Sequence, residues 1–176
     1  MNAMKFQWFL KIALAIAFVC CGNTGLVLGA DRVILTPGVG VSNGAAGFGG
    51  QGKFFFVPNL GIETDLLWTP QICGNCTMSQ TTLTENLFYW INPAHFLSLY
   101  LSGGAGAAFF HLSRPVSQSA TLPVFDVGVG AVFWIGKHIG IEIENRVFFP
   151  EGGGIDSNPA SSLNSDRWFL GLSIPL

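Results

Sequence analysis

One stretch of sequence decides the fold: Lys53-Phe-Phe-Phe-Val-Pro-Asn-Leu-Gly-Ile-Glu-Thr-Asp-Leu-Leu-Trp68. From residue 60 onward apolar side chains alternate with charged or small ones, which places Leu60, Ile62, Leu66 and Trp68 on one face and Gly61, Glu63 and Asp65 on the other. Such alternation predicts a β-strand with one apolar face. Pro58-Asn59 predicts a tight turn before it. With a three-residue loop at 57–59, Phe56 faces Leu60, Lys53 faces Glu63 and Gln51 faces Asp65, so that opposite charges meet on one face.

The same period of two runs through the chain beyond residue 31. It predicts eight strands, at about 32–42, 46–57, 60–69, 81–91, 95–110, 123–136, 138–150 and 166–176. The connections alternate in length, because tight turns at 58–59, 92–94 and 136–137 are interleaved with longer polar segments at 70–80, 111–122 and 151–165. An even number of strands with short turns at one end predicts an all-β, antiparallel, up-and-down transmembrane β-barrel.

The composition indicates which face of this barrel is wet. Charged residues make up 10% of the chain and hydrophobic residues 49%, whereas a soluble domain carries roughly a quarter charged residues. The polar faces of the strands hold glycine, alanine and serine, which suits a narrow lumen. A secreted soluble barrel remains the alternative, since alternation alone does not say which face meets water. Aromatic rims are expected at Trp68, Phe109, Phe149 and Trp168 above and at Phe54, Phe56, Tyr89 and Phe133 below.

The first thirty residues differ from the rest. Lys5 and Lys11 precede an uncharged apolar run at 12–21, and small residues follow at Gly29 and Ala30. This order predicts a cleaved signal peptide at 1–30, with an uncleaved anchor as the alternative, and a barrel domain at 31–176. Residues 31–176 hold six bases against ten acids, a net charge of −4, and no basic patch for nucleic acid.

Three stretches carry a family resemblance. Residues 53–68, the similar run Phe133-Trp-Ile-Gly-Lys-His-Ile-Gly-Ile-Glu-Ile-Glu144 and the C-terminal Gly171-Leu-Ser-Ile-Pro-Leu176 resemble the small outer-membrane β-barrels of Gram-negative bacteria, the OmpA-like eight-stranded type. The last run departs from that family's assembly signal by ending in Leu rather than Phe. The resemblance implies a monomer in the outer membrane, in contact with lipid and with the assembly machinery. It also implies no cofactor, and a structural or surface-interaction role through the extracellular loops.

Charges on the inner faces form the most informative set. By parity the lumen receives Lys53, Glu63, Asp65, Asp126, Glu142, Glu144 and Arg146. A structural salt-bridge core is one interpretation, because charge held in a narrow lumen must be paired. A cation-conducting path is the other, and eight strands leave it little room. Glu85 alone is left on an outer face.

Two cysteines lie in a long loop as Cys73-Gly-Asn-Cys76. Export to an oxidising compartment favours a disulfide between them. Two free thiols or half of a metal site remain alternatives, although no second CxxC or histidine pair completes a zinc site.

Candidate catalytic residues are few. The pair His111-Leu-Ser113 and the run Arg146-Val-Phe-Phe-Pro-Glu-Gly-Gly-Gly-Ile-Asp-Ser-Asn-Pro159 resemble parts of the lipid A deacylases, which use histidine to activate serine. In that run Pro150 and Gly152 stand where the catalytic His and Ser are expected. We therefore expect no catalysis, with a diverged deacylase as the first alternative and a secreted lipocalin-like binding protein as the second.

Overall fold

The computed structural model describes residues 33–42, 44–70, 77–114, 117–151 and 165–176. These residues form a closed barrel in which each strand pairs antiparallel with the next and the last pairs with the first. The strands are β1 (Val33–Ser42), β2 (Ala45–Val57), β3 (Leu60–Pro70), β4 (Thr77–Ala94), β5 (Leu97–Arg114), β6 (Gln118–Trp134), β7 (Gly140–Pro150) and β8 (Ser165–Pro175). The predicted eight-stranded up-and-down barrel is confirmed.

The two ends of the barrel differ in their connections. At the lower end the strands are joined by turns at 58–59, 95–96 and 135–139. At the upper end the connections lie at 43–44, 71–76, 115–117 and 151–164. The predicted signal peptide at 1–30 and the pair Cys73 and Cys76 lie outside the described residues. No helix among the described residues is long and apolar enough to cross a membrane.

Side chains alternate between lumen and exterior along the strands, as the period of two requires, except at the bulges described below. The outward set is apolar and exposed: Leu87 is 59% exposed, Leu66 is 48% and Leu170 is 50%. The inward set is buried and largely polar. A soluble lipocalin-like barrel needs the reverse distribution, with polar residues outside, so this arrangement argues against that alternative.

The register of the β2–β3 hairpin differs from the prediction at one point. Lys53 pairs with Glu63 and Gln51 with Asp65, as predicted, but Leu60 pairs with Val57 rather than Phe56. A shift between Phe55 and Val57 places the extra residue Phe56 in a bulge. The turn is therefore two residues long. Because the bulge adds one residue to β2, Lys53 and Glu63 still face each other on the inner side of the barrel.

Three predicted connections are wrong in length or place. The segment predicted as a loop at 70–80 is shorter, at 71–76, because β4 starts at Thr77. The segment predicted as a loop at 111–122 is mostly strand, because β5 runs to Arg114 and β6 starts at Gln118. Backbone pairing of mixed polar and apolar residues, such as His111 with Ser119 and Leu112 with Gln118, extends this hairpin beyond the regular apolar alternation from which its length was predicted. The turn expected at 92–94 lies at 95–96, because a second bulge, between Ile91 and Ala94, carries β4 further.

Candidate functional site

Eight charged side chains fill the middle of the lumen. They project inward from β2, β3, β6, β7 and β8, and each of the eight residues is at most 2% exposed. Seven are the predicted set and one was missed: Lys53, Glu63, Asp65, Asp126, Glu142, Glu144, Arg146 and Arg167. We call them the lumen network.

Lys53 organises the lower part of the lumen network. Its Nζ lies 2.7 Å from Glu142 Oε1 and 3.1 Å from Glu63 Oε2, and it donates to Gln51 Oε1 at 2.5 Å. The ammonium also lies 4.7 Å from the centroid of the Tyr100 ring, a cation–π distance. One buried cation is thus held by two carboxylates, an amide and an aromatic face.

Tyr100 connects the lower part of the lumen network, around Lys53, to its middle, around Arg146. Its hydroxyl oxygen lies 2.5 Å from Glu142 Oε1 and 2.6 Å from Glu144 Oε2, and its single proton serves one carboxylate at a time. The ring lies over Gly130, where an added Cβ would overlap the Tyr100 ring atoms. Glycine at this position of β6 is what allows the tyrosine to reach the two carboxylates.

Arg146 is the centre of the lumen network. Its guanidinium contacts four carboxylates: Glu144 at 2.5 Å through Nε, Asp126 at 3.2 Å, Asp65 at 3.5 Å, and Glu63 through Nη2. The planar fork of an arginine presents five donors, which lets one side chain serve four carboxylates at once. The side chain therefore ties β3, β6 and β7 together.

Arg167 was missed by the sequence analysis. Its guanidinium makes a two-point contact with Asp65, with Nη1 2.9 Å from Oδ1 and Nη2 on Oδ2, and Nη2 also lies 3.3 Å from Glu144. The rings of Phe148 and Phe169 flank it at 5.3 and 5.7 Å. Parity was the available signal, since Trp168, Leu170 and Leu172 face outward and residue 167 must face in.

The lumen network has more acids than bases. It contains five carboxylates and three cations, a formal excess of two negative charges if all are ionised. Asp126 Oδ2 has no hydrogen-bond partner, and Glu63 Oε2 has only its ion pair with Lys53. Neutral donors stabilise two of the carboxylates by hydrogen bonding. Gln51 Nε2 donates to Glu144 Oε2 at 2.7 Å, and Ser173 Oγ donates to Glu142 Oε2 at 2.7 Å.

Apolar clusters lie on either side of the lumen network. The lower cluster contains Ile34, Phe88, Trp90, Tyr100 and Val132, with Phe55 and Trp134 packed against it. The upper cluster contains Ala108, Phe110, Leu122, Val124 and Phe148, with Met78 against it. Trp90 and Tyr100 stack at 5.4 Å, and Phe55 meets Phe88 edge-on at 4.9 Å. The charges are thus shielded from water at both ends.

A separate polar pair lies outside the lumen. His111 Nδ1 is 3.0 Å from Ser119 Oγ, and the two residues pair across β5 and β6 near the upper end. Both side chains face outward and are exposed. Among the described residues no group of His, Cys, Asp and Glu is placed to hold a metal ion.

Comparison with solved structures identifies the fold. Neisserial surface protein A has a TM-score of 0.61 at 11% identity, over 82% of this chain and 94% of that one. OprG of Pseudomonas aeruginosa gives 0.61 at 11%, over 82% and 95%. Ail, the attachment invasion locus protein of Yersinia pestis, gives 0.53 at 16%, over 82% and 96%. No family model matches the chain, and no curated protein does. The chain has the fold of small eight-stranded outer-membrane β-barrels.

Proposed function

We propose that this protein is a non-catalytic barrel of the outer membrane, whose sealed body holds its upper-end connections at the cell surface for a structural or surface-interaction role. The observation that carries the proposal is the burial of the lumen network, in which no residue is more than 2% exposed. A barrel whose lumen is filled in this way is a rigid support for the segments at its upper end.

The packing of the lumen argues against conduction. A cation crossing the barrel would have to pass the lower aromatic cluster and then separate Lys53 and Arg146 from carboxylates 2.5–3.2 Å away. Buried ion pairs of this kind are costly to break, because each partner would be left unpaired in a low dielectric. The lumen network therefore acts as a rigid core, and the cation path considered from the sequence is the less favoured interpretation.

Placement in the outer membrane is supported by the exterior. Large apolar side chains cover the outward face, and the rims carry exposed rings at Trp68, Phe109, Phe149 and Trp168 above and at Phe54, Phe56 and Phe133 below. Aromatic rings at both edges of an apolar band are typical of membrane barrels. Export through residues 1–30 and insertion by the outer-membrane assembly machinery belong to the same proposal.

A role at the cell surface has indirect support. Two of the solved structures with this fold are named for it, one as a surface protein and one as an attachment invasion locus protein. In this chain the upper end has the longer connections, at 71–76 and 151–164. We assign these segments to the outer side of the membrane and to the interaction.

The test combines location with conductance. Cell fractions are run on gels with and without boiling; we expect a heat-dependent mobility shift confined to the outer-membrane fraction. Purified barrel in planar bilayers is then expected to give no stepwise current. A protein found only in the soluble periplasmic fraction would overturn the membrane placement. Steady cation-selective current would overturn the sealed scaffold.

A second candidate function rests on the His111–Ser119 pair. A histidine 3.0 Å from a serine hydroxyl, exposed near the upper aromatic rim, has the base–nucleophile geometry of a hydrolase acting on outer-leaflet lipid. No carboxylate among the described residues hydrogen-bonds to His111, so the orienting acid of a full triad is missing there. Mass spectrometry of lipid A decides the matter: we expect the same acylation with the wild type, with Ser119→Ala and without the protein. Acyl loss that needs both His111 and Ser119 would establish the enzyme.

A further inference from the structure

Two buried oxygen atoms in the middle of the lumen accept no hydrogen bond from the described residues. They are Oδ2 of Asp126, on β6, and Oδ1 of Asn86, on β4. Both residues are 2% exposed. A buried acceptor without a donor is costly, and each such atom in a native structure requires a physical explanation.

β5 places these two residues at the same level of the barrel. Gly104 pairs with Asn86 on one side and with Asp126 on the other. A Cβ added at Gly104 would overlap Asn86 Oδ1, so the amide oxygen lies over the glycine. Two short side chains therefore flank a residue that has no side chain of its own.

The amide of Asn86 is held in this orientation by its other end. Its Nδ2 donates to Glu63 Oε1 at 3.3 Å and to Thr84 Oγ1 at 3.1 Å. Turning the amide over would set its oxygen against a carboxylate oxygen of Glu63, and neither atom could donate. Oδ1 is thus fixed on the side of Gly104 as an acceptor that lacks a donor.

Asp126 differs from the other carboxylates of the lumen network. Its Oδ1 accepts from Arg146 Nη1 at 3.2 Å, whereas its Oδ2 meets neither a cation nor a donor among the described residues. Every oxygen of the other four carboxylates meets a cation or a donor, and these four are Glu63, Asp65, Glu142 and Glu144. The acceptor in excess therefore lies on Asp126, in a network with two more acids than bases.

We propose that Asp126 and Asn86 form a proton-binding site in the lumen, in which Asp126 is a neutral carboxylic acid. Its Oδ2–H donates to Asn86 Oδ1, while its Oδ1 still accepts from Arg146. One proton thus satisfies both unpaired oxygens, because a protonated carboxyl is a donor as well as an acceptor. It also lowers the formal excess of negative charge in the lumen network from two to one.

A water molecule and a metal cation are the competing occupants of this site. A water molecule would leave the excess charge unchanged, and a metal cation would have to lie close to the Arg146 guanidinium, which already holds Asp126 Oδ1. A proton removes a charge and requires no further heavy atom in the packed lumen. This inference concerns the interior of the barrel, so it can fail or hold independently of the surface role and the membrane placement proposed above.

Infrared difference spectroscopy tests the proton directly. The barrel is refolded at neutral pH in a detergent without carbonyl groups, and the spectrum of Asp126→Asn is subtracted from that of the wild type. We expect the carbonyl band of a protonated carboxylic acid in the wild type and its loss in Asp126→Asn. Asn86→Leu, which removes the acceptor, is expected to shift this band to the higher frequency of an acid that donates no hydrogen bond. Absence of the band in the wild type, or a band unchanged by Asn86→Leu, would overturn the proposal.

A matched pair of substitutions tests the same site through stability. Asparagine at 126 reproduces the neutral acid, with an oxygen for Arg146 and an N–H for Asn86, so we expect the urea midpoint to move by less than about 0.3 M. Asp65→Asn breaks the two-point contact with Arg167 and is expected to lower the midpoint by at least about 1 M. Every variant is first checked for the heat-dependent mobility shift, which shows that the barrel is folded. Equal losses in the two variants would show that Asp126 is ionised like Asp65.

The bound proton also predicts a pH dependence with a defined sign. An aspartate in the unfolded chain has released its proton above about pH 5, whereas the folded barrel retains it, so wild-type stability falls as the pH rises further. Asp126→Asn has no such proton to lose and is expected to show a smaller fall. The ionisable groups that share the lumen with Asp126 are the same in both proteins, and β4 adds no charged one among the described residues: Lys53 on β2, Glu63 and Asp65 on β3, Tyr100 on β5, Glu142, Glu144 and Arg146 on β7, and Arg167 on β8.

Two outcomes of these titrations would overturn the proposal. Identical pH profiles for the wild type and Asp126→Asn would show that Asp126 holds no proton. A wild-type midpoint that rises with added sodium, potassium or calcium at constant ionic strength, and does not rise in Asp126→Asn, would assign the site to a metal cation.

Discussion

Lys53 Nζ lies 2.7 Å from Glu142 Oε1, and this contact crosses the lumen from β2 to β7. The two strands are not neighbours, since β1 and β8 separate them around the barrel. Ladder hydrogen bonds tie each strand only to the next, so contacts of this kind hold opposite walls at a fixed distance.

Replacing Lys53 with methionine is expected to destabilise the barrel by about 3–5 kcal/mol, because Glu63 and Glu142 lose their buried cation. Urea unfolding of barrel refolded into phospholipid vesicles measures this change. Lys137→Met, in the exposed lower turn, is the control and is expected to shift stability by less than about 0.5 kcal/mol. Equal stability of the two variants would show that the lumen network does not hold the walls together.

Arg167→Lys is expected to cost about 1.5–3 kcal/mol, the range for hydrogen bonds to charged groups. The charge is kept, but the two-point contact with Asp65 and the flanking by Phe148 and Phe169 are lost. The same urea titration measures the effect. A lysine variant as stable as the wild type would mean that charge alone matters at this position.

Gly61→Ala is expected to destabilise by about 1–3 kcal/mol, because the added methyl group would overlap the buried ring of Phe88. Gly52→Ala is the matched change on the outward face of the neighbouring strand, where the nearest atom is Leu35 Cδ2 at 3.7 Å. There we expect no loss, or a gain of about 0.4–1 kcal/mol. Equal effects in urea unfolding would refute the assigned facing of these two glycines.

Leu170→Arg is expected to cost about 1–4 kcal/mol, because it places a charge on the lipid-facing wall, two residues below Trp168 of the upper rim. Ile135→Arg, in the turn below the lower rim, is expected to cost about 0–1 kcal/mol. Refolding yield and urea midpoints in vesicles compare the two. A harmless arginine at residue 170 would contradict the membrane-facing assignment of β8.

Cys73 and Cys76 are expected to form a disulfide in the exported protein. Alkylation followed by mass spectrometry of the intact mature chain should add no label before reduction and two labels after it. Labelling without reduction would identify two free thiols, and protection removed by a chelator alone would indicate a metal.

Much of the fold could be predicted from period-two alternation, because it reports the facing of side chains directly. The pairing of Lys53 with Glu63 followed from parity and opposite charge. The length of the β5–β6 hairpin could not be predicted in the same way, because polar and apolar residues are mixed in its upper part and the regular alternation is lost there. The bulge at Phe56 was equally hidden, since any residue can be left unpaired there.

The lumen network was predicted as a set of residues without its geometry. Parity places a side chain in the lumen but does not say which partner it meets across it, so the convergence of four carboxylates on Arg146 appears only in three dimensions. Arg167 was accessible to the same parity argument and was missed because it lies beside a polar segment at the start of its strand.

The pairing that closes the barrel joins the first strand to the last. Ile34 pairs with Pro175, and the amide of Leu176 donates to the carbonyl of Val33 at 2.9 Å. Until β8 arrives, β1 is an open edge with unpaired backbone groups, able to pair with other chains and to aggregate. Contacts between such distant segments form slowly, because the whole intervening chain must first be ordered. Closure is therefore the step at which this protein most needs protection, and a chaperone that covers the edge strand would act there.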